Sequence, residues 1–217
     1  MFEYKKLNDL AGWTAFIISL IVYSITVEDT ASFWDAGEFI AVSSKLEVPH
    51  PPGAPFYLLL GRFFSMFAFG VPENIAIAIN FISVVSSAFT ILFLFWTITY
   101  LASKIIDPRL NNNNKVLVIL AGFIGSLSFT FTDSFWFSAV ESEVYAMSSF
   151  FTAFVFWAIL KWESLDDEKD QNKWIILIAY MMGLSIGVHL LNLVTIPALA
   201  LIIYFKKFKE VTFRGIV

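Results

Sequence analysis

The stretch EDTASFWDAGEFIAVSSKLEVPHPPGAP (28–55) interrupts a sequence that is otherwise largely apolar. It gathers Asp35, Glu38 and His50 close to Trp34 and four prolines. A carboxylate beside apolar segments of bilayer length is costly unless it faces water, a partner or a substrate. The remaining chain is therefore expected to anchor this stretch, and the stretch is the first candidate for a functional site.

The composition indicates an integral membrane protein. Of the 217 residues, 58% are hydrophobic and only 15% are charged, and the mean hydropathy is +0.75. The chain has no cysteine, which excludes disulfides and thiol catalysis. A net charge of -4 does not fit a nucleic-acid partner, so the expected surroundings are a lipid bilayer.

Apolar runs predict an all-α polytopic membrane protein, because a helix needs about 20 residues to cross a bilayer. The run 174–205 would form one helix of roughly 48 Å, too long for an ordinary span. Glycines, His189, Asn192 and a proline also interrupt it, so we predict two short spans joined by a polar turn. The six predicted spans are 11–27, 75–103, 116–137, 144–160, 174–188 and 191–205.

Two shorter helices, 33–46 and 55–69, are predicted to lie in the membrane interface within the first outer loop. Placing 55–69 there puts nearly all basic residues on one side of the membrane and leaves Lys45 and Arg62 opposite. The positive-inside rule then predicts a cytoplasmic N-terminus. No small-residue cleavage site precedes Glu28, so the first apolar run is predicted to be an uncleaved span.

Asp35 and Glu38 are the candidate catalytic residues. At positions i and i+3 they share a helix face beside Trp34, and paired acids can act as a general base and as an orienting or metal-binding partner. The alternative is a capping box that begins at Ser32, in which Asp35 only satisfies backbone donors.

The other polar residues of the predicted outer side each have a functional and a structural interpretation. His50, held extended by Pro51, contacts substrate or makes a structural hydrogen bond. Arg62 holds a phosphate or extends to headgroups. Glu141 and Glu143 are two apart and would not share a helix face, so at most one is expected to face the site. His189 and Asn192 reach the same region or simply close a turn.

No nucleotide-binding, serine-hydrolase or zinc-protease motif occurs in the sequence. Three segments, 33–57, 134–146 and 183–199, resemble the GT-C superfamily of membrane glycosyltransferases. They are most similar to the family catalogued as domain of unknown function 2723, whose animal member is an endoplasmic-reticulum protein O-mannosyltransferase.

The resemblance implies an inverting transfer of a sugar, with mannose the expected one, from a polyprenyl-phosphate donor to Ser or Thr hydroxyls of a protein acceptor. Asp35 would be the catalytic acid residue with Glu38 as its neighbour. The substrate-binding set would be Trp34, His50, Arg62, Glu141, Glu143, His189 and Asn192. No cofactor is firmly implied, and a divalent cation remains open.

GT-C enzymes usually have about twice as many spans, so 1–217 is expected to be the N-terminal part of such a transmembrane domain. The composition, rich in Asn, Ile, Lys and Phe, favours a bacterial inner membrane, with the active site periplasmic. The alternatives are a transporter or flippase of lipid-linked substrates, transfer to a lipid or glycan acceptor, and a membrane scaffold. A transporter would place its acids near the bilayer midplane.

Overall fold

The computed structural model describes residues 2–51, 53–109, 111–208 and 212. These residues form helices and loops without a strand, which confirms the all-α class. The α-helices are α1 Phe2–Ile25, α2 Ala36–Lys45, α3 Pro55–Ser65, α4 Ile75–Ile105, α5 Asn112–Thr130, α6 Asp133–Val140, α7 Val144–Glu163, α8 Glu168–Ile186 and α9 Ile196–Lys207. Short 3₁₀ helices cover Met66–Ala68, Pro72–Asn74 and Leu190–Thr195.

Five helical segments of the described chain are long and apolar enough to cross a membrane, as expected of a polytopic protein. They are Glu3–Ile25, Pro72–Ile105, Asn112–Thr130, Val144–Glu163 and Leu190–Lys207. The predicted span 174–188 lies mostly within α8, which begins with a charged turn and is not one of the five, so a sixth span stays a prediction. The basic tail residues Lys209 and Arg214 lie outside the described residues.

The predicted range 116–137 is not one helix. The helix α5 ends at Thr130, and α6 begins at Asp133. An acidic residue is favourable in a first helical turn because it faces the positive end of the helix dipole. The polar residues after Phe131 therefore start a new helix and end the predicted span early.

The helix α4 lies at the centre of the bundle and packs against α1, α3, α5 and α7. Its residues are buried on several sides, including Ile79, Ile91 and Phe95, which are fully buried. Close packing against α5 depends on Gly122, where a Cβ atom would lie 2.6 Å from Thr99. Small residues allow such close approach of membrane helices.

The helices α2 and α3 pack side by side against α4 and cover most of the two ranges predicted to be interfacial. They run in the same direction, because Phe39 meets Tyr57 near their first turns and Ser44 meets Arg62 near their last turns. They cross at Gly61, where a Cβ atom would lie 2.4 Å from the hydroxyl of Ser43. Phe39 and Tyr57 pack edge to face with ring centroids 5.3 Å apart in the core beneath the pair. This packing fixes the N-terminal end of α2, where the candidate catalytic residues lie.

Candidate active site

Asp35 lies immediately before the first residue of α2. It occupies the N-cap position but makes no side-chain capping hydrogen bond, and its side chain is 54% exposed. Ser32 is not the cap either, because its hydroxyl donates a hydrogen bond to Glu141. The capping-box alternative is therefore not what the structure contains, and the Asp35 carboxylate stays available to a ligand.

His50, in the middle of the loop between α2 and α3, lies close to this carboxylate. Its backbone N–H donates to Oε1 of Glu38 at 2.7 Å, and its Nδ1 lies 2.8 Å from Oε2 of the same residue. Its Nε2 lies 3.9 Å from Oδ2 of Asp35. The chain turns back at Gly53, which has a φ of +100° and donates its N–H to the His50 carbonyl at 3.1 Å. Glu38 thus orients the imidazole toward Asp35.

The hydrogen bonds between His50 and Glu38 shift both pKa values. The pKa of Glu38 is lowered, and the hydrogen bond with the His50 side chain is the main cause. The pKa of His50 is raised, mainly by the same bond. The stabilisation from Glu38 is lost as pH falls through its lowered pKa, and that from His50 is lost as pH rises through its raised pKa. The charged pair is therefore complete across the ordinary values from 4.5 to 6.5.

Glu141 and Glu143 are two buried acids near the cluster, with relative exposures of 3% and 5%. Both have extended backbones in the break between α6 and α7. The sequence analysis assumed a helix here and therefore expected at most one of the two to face the site. The backbone is extended, and side chains two residues apart in an extended chain point to the same side. Burial raises the pKa of Glu141. Burial, with the charges of Glu141 and Asp35, raises the pKa of Glu143 to about 7.

Asn80 of α4 connects two segments by hydrogen bonds: the one that contains Glu141 and Glu143, and the one that precedes α2. The side chain is fully buried, and its Nδ2 donates to the carbonyls of Glu28 at 2.6 Å and Thr30 at 3.2 Å. Its Oδ1 accepts a hydrogen bond from Ser142. The sequence analysis did not select Asn80, although an amide within an apolar run is the signal that could have found it.

The cluster also has the residue types of a metal site. One ligand atom each from Asp35, Glu38 and His50 lies within 4.8 Å of the others. Bonds from oxygen or nitrogen to a metal are about 2.0–2.2 Å long, so two ligands of one ion can lie at most about 4.4 Å apart. Small rotations of these partly exposed side chains would close that difference. Because Nδ1 of His50 already contacts Glu38, its Nε2 is the nitrogen that remains for an ion.

Trp34 precedes the cluster in a strained backbone conformation. Its φ is +60°, in the left-handed region that bulky residues rarely adopt, and its side chain is 87% exposed. Strain of this kind is often retained at functional sites. The conformation presents an uncovered indole ring immediately before Asp35.

The structure does not bring the other predicted site residues into the cluster. Arg62 donates to the carbonyl of Ser44 at 2.6 Å, at the opposite end of α2 from Asp35. Asn192 is fully buried and donates to Ser185 at 3.0 Å. His189 accepts from the N–H of Leu191 at 3.1 Å, and its ring centroid lies 5.5 Å from that of Tyr145. His189 thus contacts Tyr145, which follows Glu143 by two residues, and within the described residues it makes no hydrogen bond or ring contact with the cluster itself.

The fold and site define a multi-pass membrane protein with an acidic, histidine-containing cluster at one end of its helix bundle. The chain belongs to the family described as "Protein O-mannosyl-transferase TMEM260 N-terminal domain", whose profile matches residues 35–212. The match begins at Asp35 itself. It therefore includes the whole cluster and both buried glutamates.

Two curated relatives are similar to this chain. One is the "Protein O-mannosyl-transferase tmem260" of Dictyostelium discoideum, 32% identical over 141 residues, which are 64% of this chain and 15% of the relative. The other is the "Protein O-mannosyl-transferase TMEM260" of Mus musculus, 25% identical over 166 residues, which are 76% of this chain and 21% of the relative. The chain thus spans about a fifth or less of these relatives' lengths. No solved structure matches it.

Proposed function

We propose that this chain carries the catalytic site of a membrane glycosyltransferase that moves mannose to Ser or Thr hydroxyls of proteins. The observation that carries the proposal is the Asp35–His50–Glu38 cluster, which lies within the region matched by an O-mannosyltransferase family. The names of both relatives support protein O-mannosylation. The sugar donor is a polyprenyl-phosphate mannose, and the site faces the side of the membrane opposite the N-terminus.

In the proposed reaction Asp35 is the general base. It takes the proton of the acceptor hydroxyl while the hydroxyl oxygen forms a bond to the anomeric carbon of the sugar. The bond from that carbon to the phosphate oxygen breaks, and its electron pair leaves with the lipid phosphate. Attack opposite the leaving group inverts the anomeric configuration. General base catalysis of this kind typically contributes 10²- to 10⁴-fold to a rate.

His50 and Glu38 have supporting roles in this mechanism. Because Glu38 raises the pKa of His50, the imidazole tends to carry a positive charge beside Asp35. That charge balances the phosphate as it leaves with a second negative charge. Trp34, exposed beside the base, offers a flat apolar face against which a sugar ring can pack.

A groove of about 580 Å³ supports a lipid-linked donor. It lies among α4, α7 and the segment from Leu191 to Ala198, and its lining is mostly apolar, including Leu94, Phe156 and Val194. Leu191, one of its lining residues, is two residues from His189, whose ring contacts that of Tyr145. A hydrocarbon chain in the groove would leave its phosphate near the end of the bundle that carries the acidic cluster.

The test replaces Asp35 by asparagine in the full-length protein and measures mannosyl transfer from a polyprenyl-phosphate donor to a Ser/Thr peptide by mass spectrometry. We expect at least a 100-fold loss of rate. The control is Asp29→Asn, which changes an exposed acid in the same loop and should retain wild-type transfer. Wild-type transfer by Asp35→Asn would remove the proposed base, and equal losses in both variants would point to a general effect of charge.

A further inference from the structure

A cavity lined by charged and aromatic residues lies at the opposite end of the helix bundle from the acidic cluster. It has a volume of about 220 Å³ and is lined by the first turns of α1 and the last turns of α4 and α7. The helix α1 has 24 residues and is therefore about 36 Å long. The acidic cluster follows the far end of α1, so the two sites are separated by roughly the thickness of a bilayer.

The charges that line this cavity have a positive sum. Lys5 and Lys161 both line it, and Asp9 is the single carboxylate among its described lining residues. Neither lysine forms a salt bridge with any residue that the structure describes. Asp9 offsets one of the two ammonium charges, so the cavity keeps one net positive charge that a bound anion would neutralise.

Other basic residues at this end of the bundle have partners. Lys104 pairs with Glu163 at 3.2 Å, and Lys115 lies 3.5 Å from Glu3. Lys206 donates to the carbonyls of Trp162 at 3.0 Å and Glu163 at 2.6 Å, which satisfies the end of α7. Lys5 and Lys161 thus line the cavity without a salt bridge among the described residues, whereas Lys104, Lys115 and Lys206 have partners within the protein.

The walls of the cavity match the boundary between hydrocarbon and water. Tyr4, Tyr100, Trp96 and Trp157 line it beside the lysines, and Lys161 lies 5.8 Å from the ring centroid of Trp157. Tyrosine and tryptophan prefer this boundary, where one part of the ring is apolar and the other is hydrated. A volume of 220 Å³ is below the usual 300–1,000 Å³ of small-molecule sites, so it suits a headgroup and leaves acyl chains outside.

We propose that this cavity binds the phosphate of an anionic membrane lipid. Basic pockets between membrane helices are suited to such headgroups, and each lysine near an anionic surface contributes about 1 kcal/mol. Binding here is independent of the proposed sugar transfer, because none of the lining residues belongs to the acidic cluster.

The experiment measures binding of phosphatidylglycerol to the purified chain by native mass spectrometry, with phosphatidylcholine and inorganic phosphate as comparison ligands. The double variant Lys5→Gln/Lys161→Gln should bind phosphatidylglycerol about 30-fold more weakly, as two lysines at 1 kcal/mol each imply. The control Lys169→Gln/Lys173→Gln removes the same charge from the first two turns of α8 and should bind like wild type. The variant Lys5→Arg/Lys161→Arg keeps both charges and should also retain binding.

Circular dichroism establishes that each variant keeps its helix content. Saturable binding of one phosphatidylglycerol that only the Lys5/Lys161 glutamine variant loses would support the proposal. Equal weakening in both glutamine pairs would overturn it, because general charge attraction would then explain the binding. Equal binding of phosphatidylcholine, or binding of inorganic phosphate in place of the lipid, would also overturn it.

Discussion

Replacing Asn80 by alanine tests whether one buried amide holds the candidate active site together. The substitution removes the hydrogen bonds to the carbonyls of Glu28 and Thr30 and the one accepted from Ser142. A hydrogen bond contributes about 1 kcal/mol net, so three amount to about 3 kcal/mol. Of the groups that lose a partner, Ser142 is fully buried, whereas Glu28 is half-buried and Thr30 is exposed, so water can replace the amide at Thr30. For a chain of this length, 3 kcal/mol corresponds to a fall in melting temperature of about 6–12 °C.

The assay is thermal unfolding of the detergent-purified protein, followed by circular dichroism. A matched control is Ser87→Ala in the same helix, because the Ser87 side chain is fully buried and its hydroxyl has no hydrogen-bond partner among the described residues. Ser87→Ala should melt within about 1 °C of wild type, since it loses no hydrogen bond. A wild-type melting temperature for Asn80→Ala, or an equal fall in both variants, would refute the role assigned to this amide.

Three other outcomes follow from the site and the helix packing. The pKa of Glu143 is raised from 4.5 to about 7, so the free energy of unfolding should fall by about 3 kcal/mol as pH rises from 4 to 8. Melting curves recorded across this pH range should show the fall in wild type and not in Glu143→Gln. Because Trp34 has a φ of +60°, Trp34→Gly should have a free energy of unfolding about 1 kcal/mol higher than Trp34→Ala. Both variants remove the indole ring, so both should slow transfer at low donor concentration. Gly61→Ala should cost about 1–3 kcal/mol of unfolding free energy because its Cβ would meet Ser43, whereas Gly183→Ala, with nothing within 4 Å, should not lower the melting temperature.

Several features of the fold could be predicted from local pattern. Long apolar runs predicted the membrane helices, since backbone groups in a bilayer must be satisfied within the segment that crosses it. The span 116–137 was predicted to extend too far. The apolar sequence continues through Phe131 and Phe135, whereas the helix α5 ends at Thr130. Hydropathy alone does not show where one helix ends and the next begins within an apolar run.

The candidate site was predictable in part. Asp35 and Glu38 were selected by their spacing, whereas for His50 the sequence left a substrate contact and a structural hydrogen bond open. The structure shows the hydrogen bonds from His50 to Glu38. Asn80 was missed because its partners lie about fifty and sixty residues away in sequence, so its role depends on the packing of α4. Arg62 fits a phosphate by residue type, but the crossing of α2 and α3 directs it to the Ser44 carbonyl at the other end of α2.

The sequence by itself determined the membrane class, the helical composition and the acidic stretch between the first span and α3, because these depend on hydropathy and on neighbours within a few residues. Only the tertiary structure decided which polar groups meet. The extended break at Glu141–Glu143, the Asn80 hydrogen bonds and the distance from His50 to Asp35 all depend on how separate helices pack around α4. Hydrophobic patterning specifies which segments are buried, whereas the distances between buried polar groups follow from the geometry of that packing.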